Sequence, residues 1–132
     1  MKICIIGAGH MGTWLVEEFC HDHEVAVYDL DKNKMKYFYN VKRMMDLSEI
    51  KDFAPDMLIN AVELDITIKV FESVLEFLPQ NCILCDITAV KTGMKDFYSK
   101  NKFRNFLILY CSDKIQKKGV TAVFIRNRLN SC

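Results

Sequence analysis

Histidine, proline and glycine are scarce in this 132-residue chain, and no apolar run in it is long. Without a stretch of about 18 apolar residues, no membrane-spanning helix is expected. Basic and acidic residues nearly cancel, 18 against 17, for a formal net charge of +1. No global field therefore argues for nucleic acid or an anionic membrane as a partner. Residues 1–6 lack the extended apolar region of a secretory signal and run straight into glycine, so a cytoplasmic protein is expected. The three histidines are His10, His21 and His23, and the stretch from Glu24 onward has none. His21 and His23 stand two apart in a turn with no identifiable third ligand, so no metal site is expected.

Six cysteines is an even number, but the chain has no secretory signal and is about half apolar, enough to build a core without disulfides. Cys82 and Cys85 form a C-x-x-C inside the apolar run Cys82-Ile83-Leu84-Cys85. On a strand, residues three apart point to opposite faces, so the spacing predicts two buried thiols rather than a metal or redox pair.

What is present is an alternation of strand and helix signals. Residues 2–6 are an apolar run ended by Gly7, as in a buried parallel strand. Met11, Leu15 and Phe19, with Trp14 and Val16 alongside, mark a helix over residues 10–20. Residues 24–30 read as a second strand, and residues 32–39 as a short helix with a weak pattern. Asp46 and Glu49 have capping-box spacing ahead of a short helix that ends before Pro55. A third clear strand covers residues 57–62. Asp65 then caps a helix carrying Ile66, Val70, Val74 and Leu78, stopped by Pro79. A fourth strand covers residues 82–87, followed by a helix over residues 91–101. This alternation predicts an α/β fold: a doubly wound parallel sheet in a single domain.

The segment Gly7-Ala8-Gly9-His10-Met11-Gly12 fits G-x-G-x-x-G and lies between a predicted strand and a predicted helix. Gly7 permits the tight turn, Gly9 lets a pyrophosphate approach the backbone, and Gly12 lets helix and strand pack closely. The free N–H groups of the helix start then face the phosphates. His10 occupies a variable position of this loop. Asp29 stands at the end of the second strand, where an acid accepts hydrogen bonds from the adenosine ribose. With Leu30 and Asp31 it completes the adenosine end of a Rossmann-type site. Asp29 and Asp31 would repel a 2′-phosphate, and Lys32 is read as the only nearby cation. NAD is accordingly the expected cofactor, in preference to NADP. Ala61, Val62 and Glu63 end the third strand and would border the nicotinamide half. Thr88 and Lys91 follow the fourth strand. Thr88 is expected at the nicotinamide and Lys91 at an anionic substrate.

Four segments together resemble the N-terminal domain of prephenate dehydrogenase: residues 2–12, Asp29, Asn60-Ala61-Val62-Glu63-Leu64-Asp65 and Asp86-Ile87-Thr88-Ala89-Val90-Lys91. The resemblance covers residues 1–104. It implies an oxidoreductase that converts prephenate to 4-hydroxyphenylpyruvate by NAD-linked oxidative decarboxylation, in tyrosine biosynthesis. The expected partner is therefore a small acid, prephenate or a relative. The family has serine where Ala89 stands, and a catalytic histidine in a His-Pro-Met segment after the next strand. No counterpart of that histidine exists here, so no catalytic group is assigned. Residues 1–104 carry 13 basic and 16 acidic residues, whereas residues 105–132 carry 5 and 1. The expectation is an incomplete domain, truncated or altered from a longer dehydrogenase: a dinucleotide-binding unit over 1–104 and a basic tail over 105–132, whose apolar runs 106–110 and 122–125 read either as one or two more strands around a basic turn or as a segment foreign to the fold. A homodimer is expected only where the family's helical C-terminal domain is present. Two alternatives compete: a nucleotide-sensing regulatory module of the potassium-transport type, and another reductase such as pyrroline-5-carboxylate reductase.

Overall fold

A computed structural model of the chain describes residues 1–88, 93–101, 104–109 and 124–125. The strands are β1 (Lys2–Ile6), β2 (Glu24–Tyr28), β3 (Lys42–Arg43), β4 (Met57–Asn60), β5 (Ile83–Asp86), β6 (Asn105–Leu109) and β7 (Phe124–Ile125). The α-helices are α1 (His10–Phe19), α2 (Glu49–Phe53), α3 (Thr67–Val74) and α4 (Met94–Lys100). The sheet order is β3-β2-β1-β4-β5-β6-β7, with all neighbours parallel except β6 and β7, which are antiparallel. This is the doubly wound Rossmann-type α/β sheet that the alternation of elements predicts. No helix among the described residues is long and apolar enough to cross a membrane.

Strand periodicity divides the interior in two. Cys4, Leu58 and Leu84 pack into one buried cluster, whereas Ile3, Ile5, Ile59 and Cys85 pack into the other. Residues one apart on a strand thus serve opposite faces. The first cluster is covered by Phe53 of α2, Phe71 and Val74 of α3, and Phe97 of α4, with the Phe71 and Phe97 rings stacked 5.3 Å apart. The second is covered by Leu15 and Val16 of α1. Cys82 lies in the first cluster and Cys85 in the second, as the strand reading of the C-x-x-C requires. Both are free thiols, as are Cys4 and Cys20.

Several elements differ in detail from the sequence expectation. The weak helix over residues 32–39 is a 3₁₀ turn, Lys32–Met35. Asp65 does not cap α3. It lies inside a preceding 3₁₀ turn, Leu64–Ile66, and the cap position falls to Ile66 without a side-chain bond. The buried stripe of α3 is Thr67, Phe71 and Val74; of the expected positions Val74 and Leu78 are buried, Val70 is half-buried and Ile66 is exposed. The charge break near Arg104 is not a break in the sheet, because β6 continues it in parallel register, Cys85 opposite Leu107. Beyond Leu109, only β7 of the basic tail falls within the described residues. Lys91 and Ala89 lie outside them as well.

Candidate functional site

The order of the sheet reverses between β1 and β4, and a crevice opens there at the carboxyl ends of the strands. The turn out of β1 forms its floor. Gly7 has φ +99°, and a Cβ there would lie 2.8 Å from the Ala61 carbonyl oxygen. Only glycine suits both the dihedral angle and the gap. A Cβ on Gly12 would stand 1.8 Å from the Gly7 carbonyl oxygen, so α1 rests directly on the turn. Gly9 differs: a Cβ there would meet nothing within 4 Å. Its bare side opens into the cleft, next to a helix start whose first N–H groups have no intrahelical acceptors. Gly9, the N-cap residue, offers them no side-chain acceptor either.

Asp29 ties the far wall to this loop. Its Oδ2 accepts the Ala8 N–H at 2.8 Å and its Oδ1 accepts the Asp31 N–H at 2.8 Å. The side chain is only 12% exposed, and Lys34 Nζ approaches Oδ2 at 3.9 Å. The sequence reading missed Lys34 and took Lys32 as the nearby cation. Lys32 instead donates to the Asp29 carbonyl at 2.9 Å and lies 3.8 Å from the centroid of the Tyr28 ring. Burial first, then the carboxylates of Asp46 and Asp29, push the Tyr28 phenol above its ordinary value of 10.0, so it stays protonated at neutral pH.

The cleft has a volume of about 480 Å³. Gly7, Gly9, Asp29, Leu30, Asp31, Ala61, Val62 and Glu63, all singled out from the sequence, line it. Ala8 contributes through its N–H. His10 and Met11 are exposed on the first turn of α1, and Gly12 is buried beneath the glycine turn. Thr88 is buried and turned onto Asp86, whose Oδ1 accepts both its N–H (2.9 Å) and its hydroxyl (2.7 Å). The expected place of Lys91 at the substrate lies outside the described residues.

Sequence reasoning also missed Ile66, Val70 and Ser73, which line the cleft from the α3 side. Their apolar spacing reads as core, and only the helix's phase shows otherwise. A second omission is the polar group behind the β5 edge, where the Tyr98 hydroxyl donates to Asp86 Oδ2 at 2.7 Å. Asn60, fully buried at the end of β4, donates to the Thr67 carbonyl at 2.9 Å and so holds the start of α3 against the sheet.

A bare glycine at a helix start, facing an acid that closes on the same loop, fits the pyrophosphate and ribose of a dinucleotide. The family model described as the NAD binding domain of 6-phosphogluconate dehydrogenase matches residues 2–106. This chain belongs to that family. NAD is therefore the cofactor of the domain.

No curated protein matches the chain by sequence. Solved structures match it in fold. A 3-hydroxyacyl-CoA dehydrogenase from Archaeoglobus fulgidus superposes with TM-score 0.69 at 22% identity, over 86% of this chain and 43% of the other. Synechocystis arogenate dehydrogenase superposes with TM-score 0.69 at 18% identity, over 83% and 40%. A variant imine reductase from Myxococcus stipitatus, solved with NAD+, gives TM-score 0.70 at 15% identity over 83% and 40%. At these identities the likeness is one of fold. The chain spans about two-fifths of the length of these proteins.

Proposed function

We propose that this chain is the NAD-binding part of an oxidoreductase acting on prephenate or a closely related acid such as arogenate. The observation that carries the reading is the cleft itself: a glycine turn at φ +99°, an open Gly9 and the Asp29 clamp, all at the switch point of the sheet. The choice of substrate class rests on the resemblance through Asp86 and the five residues after it, and a protein named arogenate dehydrogenase shares the fold. Bound NAD supplies the hydride acceptor. The chain's own residues bind and orient it: Gly7 and Gly9 admit the pyrophosphate, Asp29 takes the ribose hydroxyls, and Val62 and Glu63 border the nicotinamide side. Thr88, expected at the nicotinamide, is instead buried against Asp86 and is not among the residues that line the cleft, and Lys91 is assigned to the anionic substrate. The partner is thus a small molecule rather than nucleic acid or membrane, and dimerisation belongs to a C-terminal domain where one is attached.

A group to take the hydroxyl proton is missing from this assignment, because no histidine follows His23. Positioned acid–base catalysis contributes roughly 100- to 10,000-fold. The chain by itself is therefore expected to bind NAD without oxidising prephenate at a useful rate. Calorimetric titration with NAD, followed by NADH absorbance with prephenate and saturating NAD, tests both halves. Turnover of the order of 1 per second or faster, the common enzyme range, overturns the incomplete-site reading. Prephenate-dependent NMR shifts in the NAD-saturated chain, lost in Lys91→Ala, support the substrate class. Their absence overturns it.

A further inference from the structure

The cations of residues 1–104 are unevenly spread. The segment 32–43 holds five of the thirteen and none of the sixteen acids. It leads into β3, the outermost strand at one end of the sheet. Met35, 1% exposed, and the partly buried Phe38 and Val41 pin it to the core. Between these anchors Lys36, Tyr37 and Tyr39 are exposed, the two tyrosines by 69% and 79%. Arg43 Nη1 donates to the Lys36 carbonyl at 3.2 Å, which draws this stretch against β3. Lys36 Nζ lies 4.8 Å from the centroid of the Tyr37 ring. The edge also has backbone groups to offer. Among the described residues β3 pairs with β2 alone, and the Met44 N–H donates to the Val27 carbonyl at 2.9 Å. Backbone groups alternate in direction along a strand, so the N–H and carbonyl of Arg43 face away from β2.

We propose that this edge docks a short, extended acidic segment of another protein, which adds to the sheet beside β3 and sets its carboxylates against Lys36 and Arg43. Strand addition takes affinity from main-chain hydrogen bonds and specificity from alternate side chains. Arginine and tyrosine are also favoured anchors of protein interfaces. A second copy of β3 is a poor occupant, because it sets like charges against each other. The surrounding charge disfavours a nucleic acid. Outside the segment, residues 1–104 carry sixteen acids against eight cations, so a long polyanion is repelled where it leaves the edge. A segment of a few residues is not. Lys36, Tyr37, Tyr39 and Arg43 are absent from the lining of the nucleotide cleft, so the docking surface is independent of the cofactor.

The test follows the fluorescence anisotropy of a labelled peptide of alternating Glu and Val, about six residues long, titrated with the full chain. One control is a peptide of equal charge with Pro in place of Val, which cannot extend a ladder. The other is an oligothymidylate of equal charge. The alternating peptide should bind about tenfold tighter than either control, and the Arg43 amide should shift and exchange more slowly in its presence. Combined Lys36→Glu and Arg43→Glu should weaken it about tenfold, with thermal melting and NAD affinity unchanged. Tyr37→Ser, which alters no charge, should weaken it about threefold and decides the matter if the double variant melts early. Equal binding of the proline peptide, tighter binding of the oligothymidylate, undiminished affinity in a folded variant, or no binding of the alternating peptide overturns the proposal. None of these outcomes touches NAD binding, which is titrated separately.

Discussion

At Gly12 one methyl group decides whether the strand-to-helix turn can form. An added Cβ would lie 1.8 Å from a backbone carbonyl oxygen, which has no flexible end to move aside. Gly12→Ala should therefore destabilise the fold by about 3 kcal/mol, read as a lower denaturant midpoint. Gly9 is the contrasting case. Nothing lies within 4 Å of its added Cβ, so Gly9→Val should leave the midpoint nearly unchanged while abolishing NAD binding, because the new side chain fills the pyrophosphate's place. Normal NAD affinity in that variant means the loop is not the site. Asp29→Ala removes the acceptor of two backbone N–H groups and of the ribose, with an expected loss of about 1–3 kcal/mol in NAD binding by calorimetry. Residues of this kind were legible in the sequence, since glycine and acid spacing around one strand and one turn is local. Lys34 was not, because its approach to Asp29 depends on a 3₁₀ turn anchored by a distant core.

Among the elements, α2 shows how side chains start a helix and how that start depends on pH. Glu49 Oε1 accepts the N–H groups of Met45 (2.7 Å) and Asp46 (3.1 Å), and Asp46 Oδ1 accepts the Ser48 N–H at 2.8 Å. The backbone bonds from Met45 and Asp46 lower the Glu49 pKa below its ordinary 4.5, with Lys42 adding to the effect. For a carboxylate lowered in the folded state, the stability contribution is full above the unfolded value and is lost as pH falls through the folded one. Glu49→Gln should thus be slightly less stable than the parent at neutral pH, and the gap should close below about pH 4.5. Denaturant titrations at neutral and acid pH check this, and a gap that stays constant counts against the ionised bond. The capping-box spacing announced this helix but not its start, because Ser48 takes the cap position without a side-chain bond and Asp46 Oδ1 accepts the Ser48 N–H instead. The same kind of local reading held for Val74 and Leu78 but not for the start of α3, where a leading 3₁₀ turn at three residues per turn shifts the phase of the stripe. Ile66 and Val70 then line the cleft while Thr67 and Phe71 take the core.

For the molecule as a whole, the two-sided core makes its thiols reporters of opening. Burial pushes the Cys82 thiol up to about 11, with Arg104 opposing part of the shift, and burial together with Cys82 raises Cys4 still further. The thiolate is the reactive form, so neither should react at neutral pH in the folded chain. Timed alkylation with peptide mass mapping should label the half-buried Cys20 quickly and Cys4 and Cys82 only at the rate of opening. Fast labelling of Cys82 would show that this side of the sheet is not closed.

By itself the sequence determined the strand and helix alternation, the glycine turn and the Asp29 acid, because each is written in short-range periodicity or spacing. It also determined that Cys82 and Cys85 face apart, since a strand's alternation leaves no choice. Only the tertiary structure decided which charges meet at the rim, that Ile66 faces the cleft, and that Tyr98 closes on Asp86. Those pairings join residues brought together by the packing of whole elements, and no local pattern encodes the distance between them.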